Sequence, residues 1–497
     1  MRKRSSGILM HISSLTTDFG IGSVGREAYE FVDFLVQSGQ KYWQILPLGH
    51  TSYGDSPYQC FSAFAGNPNF IDFEILKKEG LLKEEDYKGK NFGSNEEEVD
   101  FGLLFSVRKE ILKIAYENFK KRKNTKYTNF KYSQFKEDNN FWLEDYSAYM
   151  AIKETFNLVC WKDWDKDIRN REEKALKKYK EELKDEIEYY NFIQYIFFKQ
   201  WNELKEYANY KGIKIIGDIP IYVAEDSADM WSAPKMFKVD EKNNPKFVAG
   251  CPPDAFAVTG QLWGNPIYDW DAMEKDNYKW WVSRIRESFK IYDMVRIDHF
   301  RGFESYWEVP YGDKTAVNGT WVKGPGIKLF NAIKEDLGEV DIIAEDLGFM
   351  TDEVIKFRDE TGFPGMKVLQ FGFGGENSTD LPHNYINNSV AYTGTHDNDT
   401  VLGWFLNTTE EEQLKAEEYL KLDEKEGVSF GCIRGIFSSV SFLSIATMQD
   451  LLEIGTEGRM NTPSTLGGNW GWRMAKGSLT KELSNKIYKL TKLYGRV

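Results

Sequence analysis

Asp293-Met-Val-Arg-Ile-Asp-His-Phe-Arg-Gly302 constrains this chain more than any other segment: it is an apolar strand that turns polar at its last residue. Strand side chains alternate faces, so Met294, Arg296 and Asp298 share one side while Val295 and Ile297 share the other. Asp298 therefore stands at the carboxyl end of the strand with an arginine two residues back on its own side. An opposite charge at that range favours the ionised carboxylate. Such an acid suits a nucleophile, and it equally suits a structural ion pair.

Three further segments repeat the pattern. Val340-Asp-Ile-Ile-Ala-Glu-Asp-Leu-Gly348 is apolar and ends in Glu345 and Asp346. Ser389-Val-Ala-Tyr-Thr-Gly-Thr-His-Asp-Asn-Asp399 ends in His396 and Asp397, and Gly212-Ile-Lys-Ile-Ile-Gly-Asp-Ile-Pro220 delivers Asp218. Acids gathered at the carboxyl ends of successive strands are what a parallel α/β barrel uses to build an active site. The expected fold class is α/β, a (β/α)8 TIM barrel with large insertions at its catalytic face.

Eight strands are expected near Gly7–His11, Tyr42–Pro47, Ile213–Asp218, Met294–Asp298, Asp341–Glu345, Met366–Phe371, Ser389–Thr393 and Leu443–Met448. Between the first two, Ala28, Phe31, Val32 and Leu35 recur at helical spacing, which predicts a helix over Glu27–Ser38 that Gly39 can cap. About 165 residues separate the second and third strands, far more than a crossover needs. Much of that stretch is rich in Lys and Glu with helical periodicity, as in Leu104, Val107, Ile111 and Ala115 and again over Glu181–Trp201. The expectation is one catalytic barrel over residues 1–497 with three excursions: a helical insertion near 70–205, a lid and substrate-loop insertion near 219–290, and a small insertion near 303–335.

Composition excludes several alternatives. The net charge of −13 argues against a nucleic-acid partner, since no basic stripe offsets it. Mean hydropathy is −0.53 and no apolar run of about 18 residues occurs, so no membrane span and a cytoplasmic location are expected. Cys60, Cys160, Cys251 and Cys432 are scattered without a C-x-x-C pair, which indicates neither a zinc site nor a disulfide framework. Gly20-Ile-Gly-Ser-Val-Gly25 matches a dinucleotide fingerprint, but a loop separates it from the preceding strand and the next strand ends in Pro47-Leu48-Gly49 with no acid. Those glycines are expected to shape a rim loop. Aromatic residues make up 15 % of the chain, which fits a large core and equally fits stacking on pyranose rings.

Two carboxyl groups facing each other across a sugar ring carry out glycoside chemistry; at about 5–5.5 Å apart, one attacks the anomeric carbon and the other moves the proton. Asp298 and Glu345 lie on adjacent expected strands, with Asp298 as the ionised nucleophile and Glu345 as the acid with a raised pKa. Asp346 adds to that rise only if its carboxylate also faces the site. Asp397 is the expected third carboxylate. His299 and His396 sit beside two of these acids and suit contacts with sugar hydroxyls. Arg296 competes for the acids' charge, and no His-x-x-x-His or Asp-x-Asp-x-Asp spacing is present, so no metal site is expected.

The quartet Asp218-Ile-Pro, Arg296-Ile-Asp-His, Glu345-Asp-Leu-Gly and Thr395-His-Asp resembles the four motif regions of the α-amylase clan. The finer resemblance is to glycoside hydrolase family 77, the 4-alpha-glucanotransferases. It rests also on Gly7-Ile-Leu-Met-His-Ile-Ser-Ser-Leu15, Trp43-Gln-Ile-Leu-Pro-Leu-Gly49, Gly54-Asp-Ser-Pro-Tyr-Gln59 and Ser62-Ala-Phe-Ala-Gly-Asn-Pro68. Pro252-Pro-Asp-Ala-Phe256, Gly260-Gln-Leu-Trp-Gly-Asn-Pro266, Gly365-Met-Lys-Val-Leu-Gln-Phe371 and Arg459-Met-Asn-Thr-Pro-Ser464 extend it over most of the chain outside the helical insertion.

The resemblance implies Asp298 as nucleophile, Glu345 as acid/base and Asp397 as transition-state stabiliser, with Arg296, His299 and His396 as their partners. Tyr58, Asp218, Trp263 and Asn461 resemble glucan-binding positions. Pro252, Pro253, Asp254 and Phe256 resemble a lid over the cleft. The implied substrates are maltooligosaccharides, amylose and other α-1,4-glucans, with no cofactor, no metal and no separate C-terminal β-domain. An α-amylase-type hydrolase on the same fold, and a catalytically silent glucan-binding protein, remain the alternatives.

Overall fold

Short apolar runs separated by long polar stretches build a parallel ladder. The structure, a computed structural model, describes residues 3–52, 54–122, 126–253, 257–375, 378–465 and 467–497, with the side chains of 126–129 left aside. Its strands are β1 (Ser5–Leu9), β2 (Tyr42–Gln44), β3 (Lys214–Pro220), β4 (Phe247–Cys251), β5 (Gln261–Pro266), β6 (Met294–Asp298), β7 (Ser305–Pro310), β8 (Thr320–Lys323), β9 (Ile342–Ala344), β10 (Gly365–Val368), β11 (Ser389–Tyr392) and β12 (Leu443–Thr447).

Eight of these form one parallel sheet in the order β10-β11-β12-β1-β2-β3-β6-β9. The seam from β9 to β10 is joined by the Ala344 N–H donating to the Pro364 carbonyl at 2.9 Å, so the sheet closes into a barrel. Every residue of β1 and β12 is buried, as expected of strands covered on both faces. Each of the eight strands expected from sequence falls on one of these, with small shifts at the ends. The first two stop at Leu9 and Gln44 because the chain turns there: a 3-10 turn begins at Ile12, and the Leu46 N–H donates to His11 Nδ1 at 3.2 Å instead of to a strand.

The helix after β1 spans Arg26–Gln37 and buries Ala28, Phe31, Val32 and Leu35. Gly39 follows it at φ 75°, a left-handed position that glycine takes without steric cost. The C-terminal helix Lys481–Leu493 packs against it. Among the described residues no strand follows β12.

Between β2 and β3 the chain is mainly helical, with Phe101–Lys121, Asn140–Thr155 and Lys184–Tyr210 as its longest segments. Helical spacing over Glu181–Trp201 spans a break at Leu183, and the second of the two helices runs on to Tyr210. That helix has two duties. Its far end packs on β3 and on the helix Arg26–Gln37. Its middle holds the rim segment: Gln194 pairs with both backbone groups of Gly66 (2.8 and 2.8 Å), and Gln200 pairs likewise with Asp72 (2.8 and 3.2 Å).

A second sheet lies outside what the sequence predicts. β5, β4, β7 and β8 form a four-stranded antiparallel layer in that order. It pairs Phe247 with Pro310 and Gly250 with Trp307, so the excursion after β3 and the excursion after β6 make a single layer. Local periodicity does not reveal this because the pairing partners lie far apart in the chain. The glycines at 20–25 do shape a rim loop: Gly22 donates to Ser13 O at 2.9 Å, and a Cβ there would lie 1.7 Å from Ile12 O.

Candidate active site

The strand register brings the acids together. In the parallel pairing of β3 with β6, Asp218 lies opposite Arg296 and Pro220 opposite Asp298. In the pairing of β6 with β9, Arg296 lies opposite Ile343 and Ile297 opposite Ala344. One further step in that register sets Glu345 beside Asp298, and the ladder continues there: the Glu345 N–H donates to Ile297 O and the Phe300 N–H to Glu345 O, each at 3.1 Å. Register partners in a parallel pair share a face, and adjacent strands lie about 4.8 Å apart, so both carboxyls rise from one side of the barrel rim at neighbouring positions.

Arg296 is the hub. Its Nη1 lies 2.9 and 2.7 Å from the two oxygens of Asp218 and 3.0 Å from Asp298 Oδ1. Tyr58 donates its hydroxyl to Asp218 Oδ2 at 2.9 Å. Burial pushes the Asp218 carboxyl up to about 6 against the pull of Arg296. The Asp218 side chain has no exposed surface, so it sits beneath the site as the buried counter-charge of Arg296 rather than on its open face.

Glu345 is also buried. Burial and the nearby charge of Asp298 push its carboxyl up to about 7, against the opposing pull of Arg296 and the Leu347 N–H. Two main-chain donors fix it: the His299 N–H at 2.7 Å to Oε2 and the Leu347 N–H at 2.8 Å to Oε1. Asp346 faces elsewhere, yet its charge still adds to the rise in Glu345. Its carboxylate accepts from Arg358 Nη1 at 2.6 Å and from the Met366 N–H at 2.7 Å, tying the loop after β9 to β10.

The loops after β11 and β12 supply the opposite wall. Asn461 Nδ2 donates to Asp397 Oδ1 at 2.6 Å, and Arg459 Nη2 donates to the Asp397 carbonyl at 2.9 Å. His396 Nε2 lies 3.4 Å from Asp397 Oδ2. Burial alone would raise the Asp397 carboxyl, but His396, Asn461 and Arg296 outweigh it and hold it well below the usual carboxylate range. The same pairing raises the His396 imidazole in spite of its burial.

Aromatic rings frame these groups. Tyr58 stacks on His396 at 4.8 Å between centroids, and Trp470 backs both at 5.8 and 5.9 Å. Trp263, carried by β5 of the second sheet, meets the His299 ring edge to face at 4.8 Å. Burial keeps that ring neutral, lowered to about 3, and its buried Nε2 has no hydrogen-bond partner among the described residues. Pro252 and Pro253 follow β4 directly, half-buried and exposed respectively, while Asp254 and Phe256 of the expected lid lie outside the described residues. Among the described residues no group of three or more His, Cys, Asp or Glu side chains is arranged to hold a metal ion, and no helix is long and apolar enough to cross a membrane.

Sequence reasoning misses several of these groups. Trp470 follows Gly467-Gly-Asn469, a glycine-rich turn that presents an aromatic residue, and that combination is a usable signal. Arg459 stands inside the Arg459–Ser464 motif, but its contact with the Asp397 carbonyl depends on two loops meeting. The backbone contribution of His299 has no sequence signature.

An Asp braced by Arg, beside a Glu with a raised pKa at the C-terminal rim of a parallel barrel, belongs to the class of barrel enzymes that work through paired carboxylates. Comparison with known proteins narrows the class. Residues 10–480 match the family model described as 4-alpha-glucanotransferase. The chain is 58 % identical over 490 residues to a 4-alpha-glucanotransferase of Clostridium butyricum, covering 98 % of this chain and 100 % of the relative. It is 57 % identical over 500 residues to one of Streptococcus pneumoniae, covering 100 % and 98 %. The fold superposes on an amylomaltase from Streptococcus agalactiae in complex with acarbose with a TM-score of 0.97, at 48 % identity and covering 99 % and 100 % of the two chains. This chain belongs to the 4-alpha-glucanotransferase family.

Proposed function

We propose that the protein is a retaining 4-alpha-glucanotransferase that moves α-1,4-glucan segments from maltooligosaccharide or amylose donors to glucose or glucan acceptors through a covalent glycosyl-Asp298 intermediate. The observation that carries this reading is the register that sets Asp298 and Glu345 side by side, with Arg296 3.0 Å from the Asp298 carboxylate. Neighbouring carboxyls suit retention of configuration; an inverting pair stands farther apart to admit a water.

In the first step an Asp298 oxygen attacks the anomeric carbon while Glu345 gives its proton to the departing O4 of the leaving glucan. One C–O bond forms and one breaks, with inversion. In the second step the Glu345 carboxylate takes the proton from an acceptor 4-hydroxyl, whose oxygen attacks the same carbon and releases Asp298. A second inversion restores the α configuration. A carboxyl near 7 is suited to both halves, because it gives and regains a proton at little cost. Asp397, held anionic by His396 and Asn461, is assigned to stabilise the positive charge that develops on the sugar ring.

Tyr58, Trp263, His299 and His396 are assigned to glucan binding. The orphaned Nε2 of His299 supports a sugar-hydroxyl contact. Pro252, Pro253, Asp254 and Phe256 are assigned to a lid that excludes water, favouring a sugar acceptor over hydrolysis. The reaction so written calls for no cofactor or metal. Residues 1–497 are taken as one catalytic unit, placed in the cytoplasm. The role extends to starch or glycogen metabolism.

The test is to incubate the pure protein with maltotriose and separate the products by size. Glucose with a ladder of longer oligosaccharides supports transfer. Glucose and maltose alone would make it a hydrolase. Bound but unchanged maltotriose would make it a binding protein.

A further inference from the structure

Arg301 lies one short turn beyond Asp298 and is almost fully buried, yet it has no part in the steps above. Its contacts are specific. Nη1 donates to the carbonyl of Phe349, four residues beyond Glu345. Nη2 donates to Ser305 Oγ at 3.1 Å, at the start of β7. The face of the guanidinium lies 4.0 Å from the ring centroid of Trp321, on β8. One side chain thus joins three excursions of the barrel rim: the turn after β6, the loop after β9, and the outer strand of the second sheet.

The loop held at Phe349 is the one that supplies the Leu347 N–H to Glu345 Oε1. The turn that carries Arg301 begins at His299, whose N–H holds Glu345 Oε2. Both donors to the Glu345 carboxyl therefore sit on segments that Arg301 ties together. Asp346 fixes the near end of the same loop through Arg358, but between Asp346 and Thr351 the Phe349 carbonyl is where Arg301 takes hold. Gly348 sits at φ 84°, and an added Cβ there would meet no heavy atom within 4 Å, so no neighbouring side chain braces the loop at the residue before Phe349.

We propose that Arg301 is a positioning residue for the transfer reaction: by clamping the loop after β9 against the turn after β6, it keeps the Leu347 and His299 N–H groups on the Glu345 carboxyl. This rests on the acid/base role of Glu345 given above. Trp321 serves as the wall that keeps the guanidinium in plane with its acceptors, which gives the outer strand of the second sheet a function at the site.

The sign of the effect follows from the contacts. Both N–H groups stabilise the ionised carboxylate, and the positive charge of Arg301 acts in the same direction. Losing the clamp therefore raises the pH at which Glu345 gives up its proton. A purely structural arginine would alter the amount of folded protein and leave that pH where it is.

The experiment compares wild type with Arg301→Gln, Arg301→Lys and Trp321→Ala, measuring kcat, KM and the pH profile of maltotriose transfer on protein shown to be folded by circular dichroism. Arg301→Gln is expected to lower kcat by about 10- to 100-fold, as misplacement of a reacting group by about 1 Å does. KM should stay within about 3-fold, and the alkaline limb should move to higher pH, as expected of a positioning defect rather than a lost binding contact. Arg301→Lys keeps the charge but not the planar fork and should fall between the two. Trp321→Ala, a change at a half-exposed residue that leaves the fold intact if Arg301→Gln does not, should move the limb in the same direction by less. A fall in kcat with an unmoved limb, a loss carried by KM, or wild-type behaviour of the folded variants would each overturn the proposal. If wild type itself produces no oligosaccharide ladder, or if Glu345→Gln keeps transferring maltotriose with the alkaline limb in place, the underlying reading fails and this inference falls with it.

Discussion

The main-chain N–H of His299 donates to Glu345 Oε2 at 2.7 Å, and it does so because His299 takes a left-handed conformation at φ 52°. Residues other than glycine reach that region at a cost, and asparagine and histidine reach it more readily than β-branched residues. The backbone of this residue thus aims a donor at the Glu345 carboxyl while its ring faces Trp263.

Backbone and ring are separable by substitution. His299→Asn tolerates the left-handed turn and should keep stability within about 1 kcal/mol, losing only what the ring contributes. His299→Val should lose about 1–3 kcal/mol to backbone strain. It should also lose more transfer activity than His299→Asn, because the strained turn swings the N–H away from Glu345. Thermal denaturation beside transfer rates decides; equal losses in both variants would mean that the ring alone matters.

Glu345 links pH to both activity and stability. In the proposed mechanism the acid form starts the reaction, so kcat/KM for maltotriose should fall as pH rises through about 7. The folded-state value lies above the ordinary 4.5, so the folded protein holds the proton more tightly than the unfolded chain between those values. Stability from this group is therefore fully present below about 4.5 and lost as pH rises through about 7, by roughly 3 kcal/mol in all. Glu345→Gln should abolish transfer yet be more stable than wild type at pH 8, by about 1–2 kcal/mol once the hydrogen bond lost where the amide NH2 replaces an accepting oxygen is allowed for. Denaturant melts at pH 5 and pH 8 check this, and a variant less stable than wild type at both values contradicts it.

Arg296 and Asp218 form a buried pair, and removing one partner leaves the other uncompensated. Arg296→Met should cost about 3–5 kcal/mol and all activity. The double variant Arg296→Met, Asp218→Asn should recover most of the stability and none of the activity, since Asp298 still lacks its cation. A double-mutant cycle of melting curves measures the coupling.

Asn461 holds Asp397 from another loop, 64 positions away. Asn461→Ala should lower kcat by about 10-fold or more with little change in stability, because the bond lies at a partly open site. If KM rises while kcat is unchanged, Asn461 contacts the glucan and does not position Asp397.

The barrel is legible in the sequence because each parallel strand is a short, nearly continuous apolar run, and Met294–Asp298 is found as a strand with the same bounds. Alternation along that strand puts Arg296 on the side of Asp298, and the ion pair is there at 3.0 Å. What sequence does not carry is whatever depends on register between distant segments. Asp218 reads as a glucan-binding position, but its place opposite Arg296 follows only from the β3–β6 pairing. The orientation of Asp346 toward Arg358 depends on how a helix packs. The four-stranded sheet requires Phe247 to find Pro310, and Trp470 reaches Tyr58 only after the C-terminal loop folds back over the rim.

The central claim is a covalent bond between the sugar and Asp298. The most direct measurement gives the Glu345→Gln variant an α-maltosyl fluoride, whose leaving group needs no acid, and maps the protein by mass spectrometry. One maltosyl unit is predicted on the peptide containing Asp298. Azide, a nucleophile that needs no base, should then release it as the α-maltosyl azide, the product of two inversions. An unmodified Asp298 peptide with the fluoride consumed, a glycosyl unit on another carboxylate, or the β-azide of a single direct displacement would contradict it.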